Sequence, residues 1–201
     1  VWYGSARKRK LNNGLAINEW GVEGNPKVLL THGWEGRGSQ MGAFAEPLVA
    51  EGYHVIALDG PAHGDSPGDE TNAGIYSRAL VSTQHELGAV KVIIGHSFGG
   101  GCSVLATHLG LKVDKLITIS SPSDYTKVVQ NFLNFVPLSP WSERVFRHIL
   151  TLKAQVRLED INISQLGRAL KIPILVIHDK TDKEVPYKNA LNLHEAWPQS
   201  E

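Results

Sequence analysis

The residues best suited to chemistry lie in the segment Gly95-His96-Ser97-Phe98-Gly99. Its spacing, Gly95-x-Ser97-x-Gly99, is typical of a nucleophile elbow, a sharp strand-to-helix turn that lifts one serine above a sheet. A Cβ at either glycine would clash with neighbouring backbone in such a turn. Because this short motif also occurs by chance, it predicts a nucleophile only if a strand precedes it and a helix follows it. Otherwise Ser97 is simply a serine at a helix start.

The elements around this segment alternate between strands and helices. Short apolar runs predict strands at residues 27–31, 53–58, 91–94, 115–120 and 172–177. Helical patterns lie at residues 40–51, 73–87, 100–109, 164–170 and 187–197. Such alternation predicts an α/β fold, a mostly parallel central sheet with helices on both faces. Reactive loops then lie at the carboxyl ends of the strands, where the glycine-rich segments 32–38, 59–68 and 95–101 fall.

Two segments depart from this alternation. Residues 3–11 and 15–20 flank the turn signal Asn12-Asn13-Gly14 and predict an antiparallel hairpin. The basic run at residues 7–10 is interpreted as edge-strand charge that discourages strand addition, rather than as a binding patch. Residues 123–163 contain no strong strand pattern and predict a helical insertion.

Composition limits the classes of function. The chain has 201 residues with 20 Lys and Arg against 20 Asp and Glu, which argues against a nucleic-acid partner. No apolar run of about 18 residues predicts a membrane span. With one cysteine and no visible signal peptide, we expect a cytoplasmic protein, although the chain begins at Val1 and a segment removed upstream stays an open alternative. No residue cluster has metal-ligand spacing, we expect no cofactor, and the oligomeric state is not indicated.

Four motifs in a fixed order, each after a predicted strand, together resemble the α/β-hydrolase family. The motifs are His32-Gly33-Trp34, Asp59-x-Pro61-x-His63-Gly64-x-Ser66, Gly95-His96-Ser97-Phe98-Gly99 and His178-x-x-x-Asp182-x-x-Val185-Pro186. They span nearly the whole chain, so we expect one domain over residues 1–201. The insertion at 123–163 sits where this family carries its cap over the active site.

The resemblance implies roles for individual residues. Ser97 would be the nucleophile, and the backbone N–H groups of Trp34 and Phe98 would form the oxyanion hole. Asp182 would be the acid that orients a histidine. Asp179, at the strand end, and Asp124, after the preceding strand, remain alternatives for the acid.

The base histidine has no clear candidate among these residues. The resemblance places it after one more strand, beyond Glu201, so we expect the polypeptide to continue and the sheet edge to lack its last strand here. His194 lies in a predicted helix and is a poor substitute. His32 is interpreted as a structural residue of its loop, and His96 as a packing or pocket residue that points away from Ser97.

The other reactive side chains have structural interpretations. His63, Asp65 and Ser66 are too close together in one loop to act as a triad and are interpreted as loop scaffolding. Cys102 is interpreted as a small core residue.

The resemblance implies a serine hydrolase that cleaves a carboxylic ester of a small-molecule acyl substrate through an acyl-enzyme. Thioesters, lactones, amides and C–C bonds remain alternatives. The cap aromatics Phe132, Phe135, Trp141 and Phe146 would either line an apolar acyl pocket or pack the cap onto the body. The competing class is a non-catalytic protein that binds a small apolar ligand, and a histidine after Asp182 in the complete polypeptide distinguishes the two.

Overall fold

A seven-stranded sheet forms the centre of the computed structural model, which describes residues 6–201. The strands are β1 (Arg7–Lys10), β2 (Ala16–Trp20), β3 (Lys27–Thr31), β4 (His54–Leu58), β5 (Val92–His96), β6 (Lys115–Ile119) and β7 (Ile174–Ile177). Their spatial order is β1-β2-β4-β3-β5-β6-β7. The pairings β1–β2 and β2–β4 are antiparallel and all the others are parallel. The predicted hairpin and parallel sheet are therefore confirmed, while residues 3–5 of the predicted first strand lie outside the described residues.

Helices cover both faces of the sheet, as predicted. They are α1 (Ala45–Ala50), α2 (Ala73–Leu87), α3 (Phe98–His108), α4 (Tyr125–Phe135), α5 (Pro140–Ala154), α6 (Ile163–Arg168) and α7 (Lys188–Ala196). The predicted helix at 40–51 differs, because a 3-10 helix over Gly38–Phe44 precedes the short α1. Gly38 and Gly42 have low α-helix propensity, which is consistent with the tighter, irregular start.

Successive residues of the central strand β3 enter two separate cores. Leu29 packs into the larger core with residues of α2 and α3, such as Leu80 and Cys102. Leu30 points to the other face and packs with Met41 and Ala45. A strand buried on both faces requires a continuous apolar run, and this explains the sequence pattern at residues 27–31.

The outer edge of β7, which we expected to be open, is occupied by the last residues of the chain. The Glu201 N–H donates to the Ile174 carbonyl at 3.0 Å, and the Val176 N–H donates to the Glu201 carbonyl at 2.9 Å. Both bonds belong to a parallel bridge between Ile174 and Ser200. On one face of β7, Leu175 and Ile177 remain exposed to solvent.

The insertion at 123–163 is helical, as predicted, and consists mainly of α4 and α5. Asp124 caps α4 by accepting a hydrogen bond from the Thr126 N–H at 2.8 Å. Ser139 caps α5 in the same way, with Pro140 in the first turn. Lys153 near the end of α5 forms an ion pair with Glu70, which ties the insertion to the segment before α2.

Asp59 joins two of the loops at the carboxyl edge of the sheet. Its side chain is only 1% exposed, and its two carboxylate oxygens accept hydrogen bonds from different segments. The Gly38 N–H donates to Oδ1 at 2.6 Å, and the Asp65 N–H donates to Oδ2 at 2.8 Å. The buried carboxylate therefore fixes the loop after β3 against the loop after β4.

His32 makes a second connection between the same two loops, in line with its predicted structural role. The Gly60 N–H donates to Nε2 at 3.0 Å, so Nδ1 carries the proton and donates to the Gly33 carbonyl at 2.7 Å. Both bonds require the neutral ring. Burial lowers the pKa of His32 below its usual value, which keeps this form at neutral pH.

We predict that Asp59→Ala lowers the free energy of unfolding by about 3 kcal/mol, because the Gly38 and Asp65 N–H groups lose a charged acceptor and that of Gly38 is buried. Urea denaturation followed by circular dichroism measures this change. Asp114→Ala removes a carboxylate from an exposed ion pair with Lys91 and serves as the matched control, with little measurable effect expected. Equal effects of the two substitutions would contradict the role assigned to Asp59.

We also predict that stability decreases on acidification through the His32 ring. Because the folded protein binds this proton less tightly than the unfolded chain, the stability is complete above the usual histidine pKa of about 6.5 and falls as the pH drops below it. His54 is also buried, and burial lowers its pKa in the same way, so it adds to the decrease in stability. Urea midpoints between neutral and mildly acidic pH should show a smaller decrease for His32→Gln than for the exposed control His108→Gln. An unchanged pH dependence in His32→Gln would contradict the assignment.

Candidate active site

Ser97 occupies a strained backbone position between β5 and α3. Its φ is 50° and its ψ is −120°, a conformation that L-residues rarely adopt. The Ser97 N–H donates to the Ile119 carbonyl at 2.8 Å, and its own carbonyl accepts from the Ser121 hydroxyl at 3.1 Å. These contacts with β6 and the residues after it hold the turn, which has the strand-to-helix geometry predicted for an elbow.

The flanking glycines are required by the surrounding backbone. A Cβ on Gly95 would lie 2.5 Å from Gly100 Cα, and a Cβ on Gly99 would overlap the His32 carbonyl oxygen. Both approaches are too close for any side chain. The sequence analysis predicted that a Cβ at either glycine would clash with neighbouring backbone, and this is confirmed at both positions.

The Ser97 side chain is half-buried. Within residues 6–201 its hydroxyl forms no hydrogen bond, so no base in this part of the chain activates it. A serine hydroxyl becomes an effective nucleophile only when a base accepts its proton.

The loop after β3 passes directly beside Ser97. A Cβ on Gly33 would lie 3.2 Å from Ser97 Cβ, and Trp34 is the next residue along this loop. In the described part of the chain, the N–H groups of Trp34 and Phe98 donate to no acceptor. For Phe98 this follows from its place at the first turn of α3, where helix N–H groups lack partners. Two unpaired donors at one edge are what an oxyanion site needs.

Aromatic side chains form a wall beside the serine. The Phe98 ring lies edge-on to those of Trp34, Tyr76 and Tyr125, at centroid distances of 5.1, 5.6 and 5.6 Å. The Tyr125 hydroxyl donates to the Phe98 carbonyl at 2.6 Å, which fixes the start of α4 against the start of α3. The insertion therefore contacts the residue that follows Ser97.

Asp182 lies in the loop after β7 and is held as a carboxylate. Its Oδ1 accepts from the N–H groups of Glu184 and Val185, each at 2.9 Å. The Val185 N–H lowers the pKa of Asp182, and the Ser120 hydroxyl lowers it further. The group is thus ionised at neutral pH, with Oδ2 outside these two backbone hydrogen bonds.

The two alternative carboxylates have local structural roles. Asp179 accepts hydrogen bonds from the N–H and hydroxyl of Thr181, at 2.7 and 2.8 Å, within its own turn. Asp124 is the N-cap of α4 and also accepts from Asn162 at 3.2 Å. Hydrogen bonding gives Asp179 and Asp124 a function in the fold, but by itself it does not select the acid.

Within residues 6–201, none of the histidines singled out from the sequence forms a hydrogen bond with Ser97. His63 accepts from the Glu35 N–H at 3.2 Å, which agrees with its predicted scaffolding role together with Asp65 and Ser66. His194 bonds to the Ser200 hydroxyl at 2.9 Å on the outer side of β7. His96 is accessible to solvent near Gly33, and partial burial lowers its pKa while the charge of Asp182 opposes the shift.

Two contacts of the site were not predicted from the sequence, although His178 and Val185 both stand in the last of its four motifs. His178 Nε2 donates to the Val185 carbonyl at 2.7 Å and lies 3.6 Å from Asp182 Oδ2, so it closes the acid loop. Tyr125 supports Phe98 as described above. Both contacts depend on tertiary packing, because each partner is separated from the other by a loop or by a whole strand.

Cys102 is a core residue, as predicted. It is fully buried beneath α3, with Sγ 3.7 Å from the Tyr125 hydroxyl. Burial raises the pKa of the Cys102 thiol to about 12, so the reactive thiolate is not formed at neutral pH.

Residues 6–201 contain no group of three or more His, Cys, Asp or Glu side chains placed to hold a metal ion. None of their helices combines the length and apolar character needed to cross a bilayer.

Several known proteins are similar to this chain. It is 27% identical over 185 residues to the human protein ABHD12B, covering 86% of this chain and 50% of that protein. It is 28% identical over 192 residues to the lysophosphatidylserine lipase ABHD12 of Danio rerio, covering 88% and 48%. The chain thus spans about half the length of these curated relatives.

Solved structures share the fold. The monoacylglycerol lipase of Paleococcus ferrophilus superimposes with a TM-score of 0.69 at 20% identity, covering 92% of this chain and 86% of that one. The family model described as "Alpha/beta hydrolase family" matches residues 28–197. With the elbow, the strand order and this match in agreement, the chain belongs to the alpha/beta hydrolase family.

Proposed function

We propose that this protein is a serine hydrolase that cleaves carboxylic esters through an acyl-enzyme on Ser97. The observation that carries the proposal is the strained backbone of Ser97, with φ at 50°, beside the unpaired N–H groups of Trp34 and Phe98. Strain of this kind persists only where the surrounding structure enforces it, and it is concentrated at functional positions.

In the first step, Ser97 Oγ attacks the ester carbonyl carbon while its proton passes to a histidine. The carbonyl oxygen becomes an oxyanion, which the N–H groups of Trp34 and Phe98 stabilise. The C–O bond to the alcohol then breaks, and the histidine returns the proton to the leaving alkoxide. Water, deprotonated by the same histidine, attacks the acyl-enzyme and releases the acid and free Ser97.

The proposal assigns Asp182 the task of orienting that histidine and stabilising its cation. The lowered pKa of Asp182 supports this, because the acid must be ionised when the histidine gains its proton. The histidine itself is proposed to lie beyond Glu201, where the resemblance places it. His194 is not chosen, since it is bonded to Ser200 on the outer side of β7.

The substrate is proposed to have an apolar acyl group. The Trp34 side chain is exposed and its ring packs edge-on against that of Phe98, the residue after Ser97, so these two rings offer an apolar surface near the serine. Two similar proteins are named as lipases, which agrees with this substrate class. Esters are favoured over the other acyl bonds on these grounds.

We predict that Ser97→Ala reduces hydrolysis of p-nitrophenyl acyl esters by a factor on the order of 10⁶, or to background. The matched control is Ser82→Ala, which removes an exposed hydroxyl on α2 whose own bond is to the Ala79 carbonyl. Spectrophotometric rates of the purified protein measure the difference. Residual activity in Ser97→Ala comparable to the control would refute the assignment, and an inactive parent protein would favour the non-catalytic binding class instead.

We predict that Asp182→Asn lowers kcat by a factor on the order of 10⁴ with little change in KM. The asparagine oxygen still accepts the Glu184 and Val185 N–H groups, so the loop keeps its shape. Asp179→Asn and Asp124→Asn are the controls, with less than about tenfold effects expected if they have only structural roles. A larger loss in either control than in Asp182→Asn would transfer the role of acid to that residue.

A further inference from the structure

An unusual concentration of apolar surface lies on the helical insertion. Among the described residues, 15 large hydrophobic side chains are exposed, and eight of them fall within the 25 residues from 128 to 152. The eight are Val128, Phe132, Phe135, Val136, Leu138, Trp141, Ile149 and Leu152. Single exposed apolar residues are normal, but a continuous group of this kind marks an interaction surface.

On α4 the apolar residues occupy two adjacent sides of the helix. Tyr125 and Leu133 pack inward from α4, while Val128, Phe132 and Phe135 occupy the neighbouring outward stripe at helical spacing. At the tip between the helices, Phe135 is 86% exposed and Trp141 is 71% exposed. These two side chains therefore neither line an acyl pocket nor pack the insertion onto the body. Of the four aromatic residues of the insertion named from the sequence, Phe132 and Phe146 stack on each other, with their ring centroids 5.9 Å apart.

The same two helices carry an excess of positive charge. Four Lys or Arg residues lie in α4 and α5, namely Lys127, Arg144, Arg147 and Lys153, against one acidic residue, Glu143. Arg147 pairs with Glu143, and Lys153 with Glu70. Lys127 and Arg144 form no ion pair with any residue in the range 6–201, so their charges are available to a partner.

We propose that this surface, the cap tip of residues 128–152, docks the protein onto an anionic lipid–water interface. Helices that lie in such an interface combine tryptophan and phenylalanine with lysine and arginine. The rings insert at the headgroup level, and Lys127 and Arg144 face the negative surface. A second copy of this chain fits less well, because the uncompensated positive charges would face each other across a symmetric contact.

The cap tip is connected to the candidate active site through α4. This helix starts at Tyr125, whose hydroxyl is bonded to the Phe98 carbonyl, and its 11 residues correspond to about 16 Å of length. The docking itself does not depend on the proposed ester hydrolysis and is measured without it.

The test is sedimentation of the purified protein with vesicles of phosphatidylcholine alone or of phosphatidylcholine with phosphatidylglycerol. We expect binding to the anionic vesicles that weakens as salt increases. The double variant Phe135→Ser/Trp141→Ser should reduce the partition coefficient about tenfold or more. Lys127→Glu/Arg144→Glu should reduce binding to the anionic vesicles and remove its salt dependence.

The matched control is Val22→Ser/Leu191→Ser, which removes two side chains that are 67% and 52% exposed elsewhere on the surface. It should bind like the parent protein, and unchanged urea midpoints verify that all variants are folded. No binding to anionic vesicles overturns the proposal, as does equal loss in the control. A dimer detected by sedimentation equilibrium that Phe135→Ser/Trp141→Ser dissolves also overturns it, in favour of a second copy as the partner.

Discussion

Backbone segments from β3, β5 and α3 are in direct contact beneath Ser97, and the rest of the site depends on this packing. The backbone around Gly95 and Gly99 leaves no room for a side chain. Gly33 brings the loop after β3 so close that a Cβ there would lie 3.2 Å from Ser97 Cβ. The contacts force the left-handed backbone of Ser97 and expose its side chain at the sheet edge. The same contacts fix the start of α3, whose first N–H belongs to Phe98, so one steric constraint positions both the proposed nucleophile and one of its two proposed oxyanion donors.

Buried polar groups then hold the surrounding loops at that edge. Asp59 and His32 tie the loop after β3 to the loop after β4, and His178 closes the loop that carries Asp182. The chemistry proposed for Ser97 thus rests on side chains that never contact the substrate.

The sequence predicted those parts of the structure that local physics determines. Leu29 and Leu30 marked a doubly buried strand, and the glycines around Ser97 marked a turn that excludes side chains. It placed His178 in a motif with Asp182 and Val185 but gave it no role, because its hydrogen bond to the Val185 carbonyl depends on the folded path of the loop after β7. It also could not show that Phe135 and Trp141 face solvent, since an apolar residue at helical spacing predicts burial but not which surface covers it.

The most direct test of the central claim is the intact mass of the purified protein before and after treatment with a fluorophosphonate, followed by peptide mapping of the adduct. The account predicts a single adduct on Ser97, because only an activated serine beside an oxyanion site reacts with such a probe. A protein that remains unlabelled, or an adduct that maps to another serine, would contradict it.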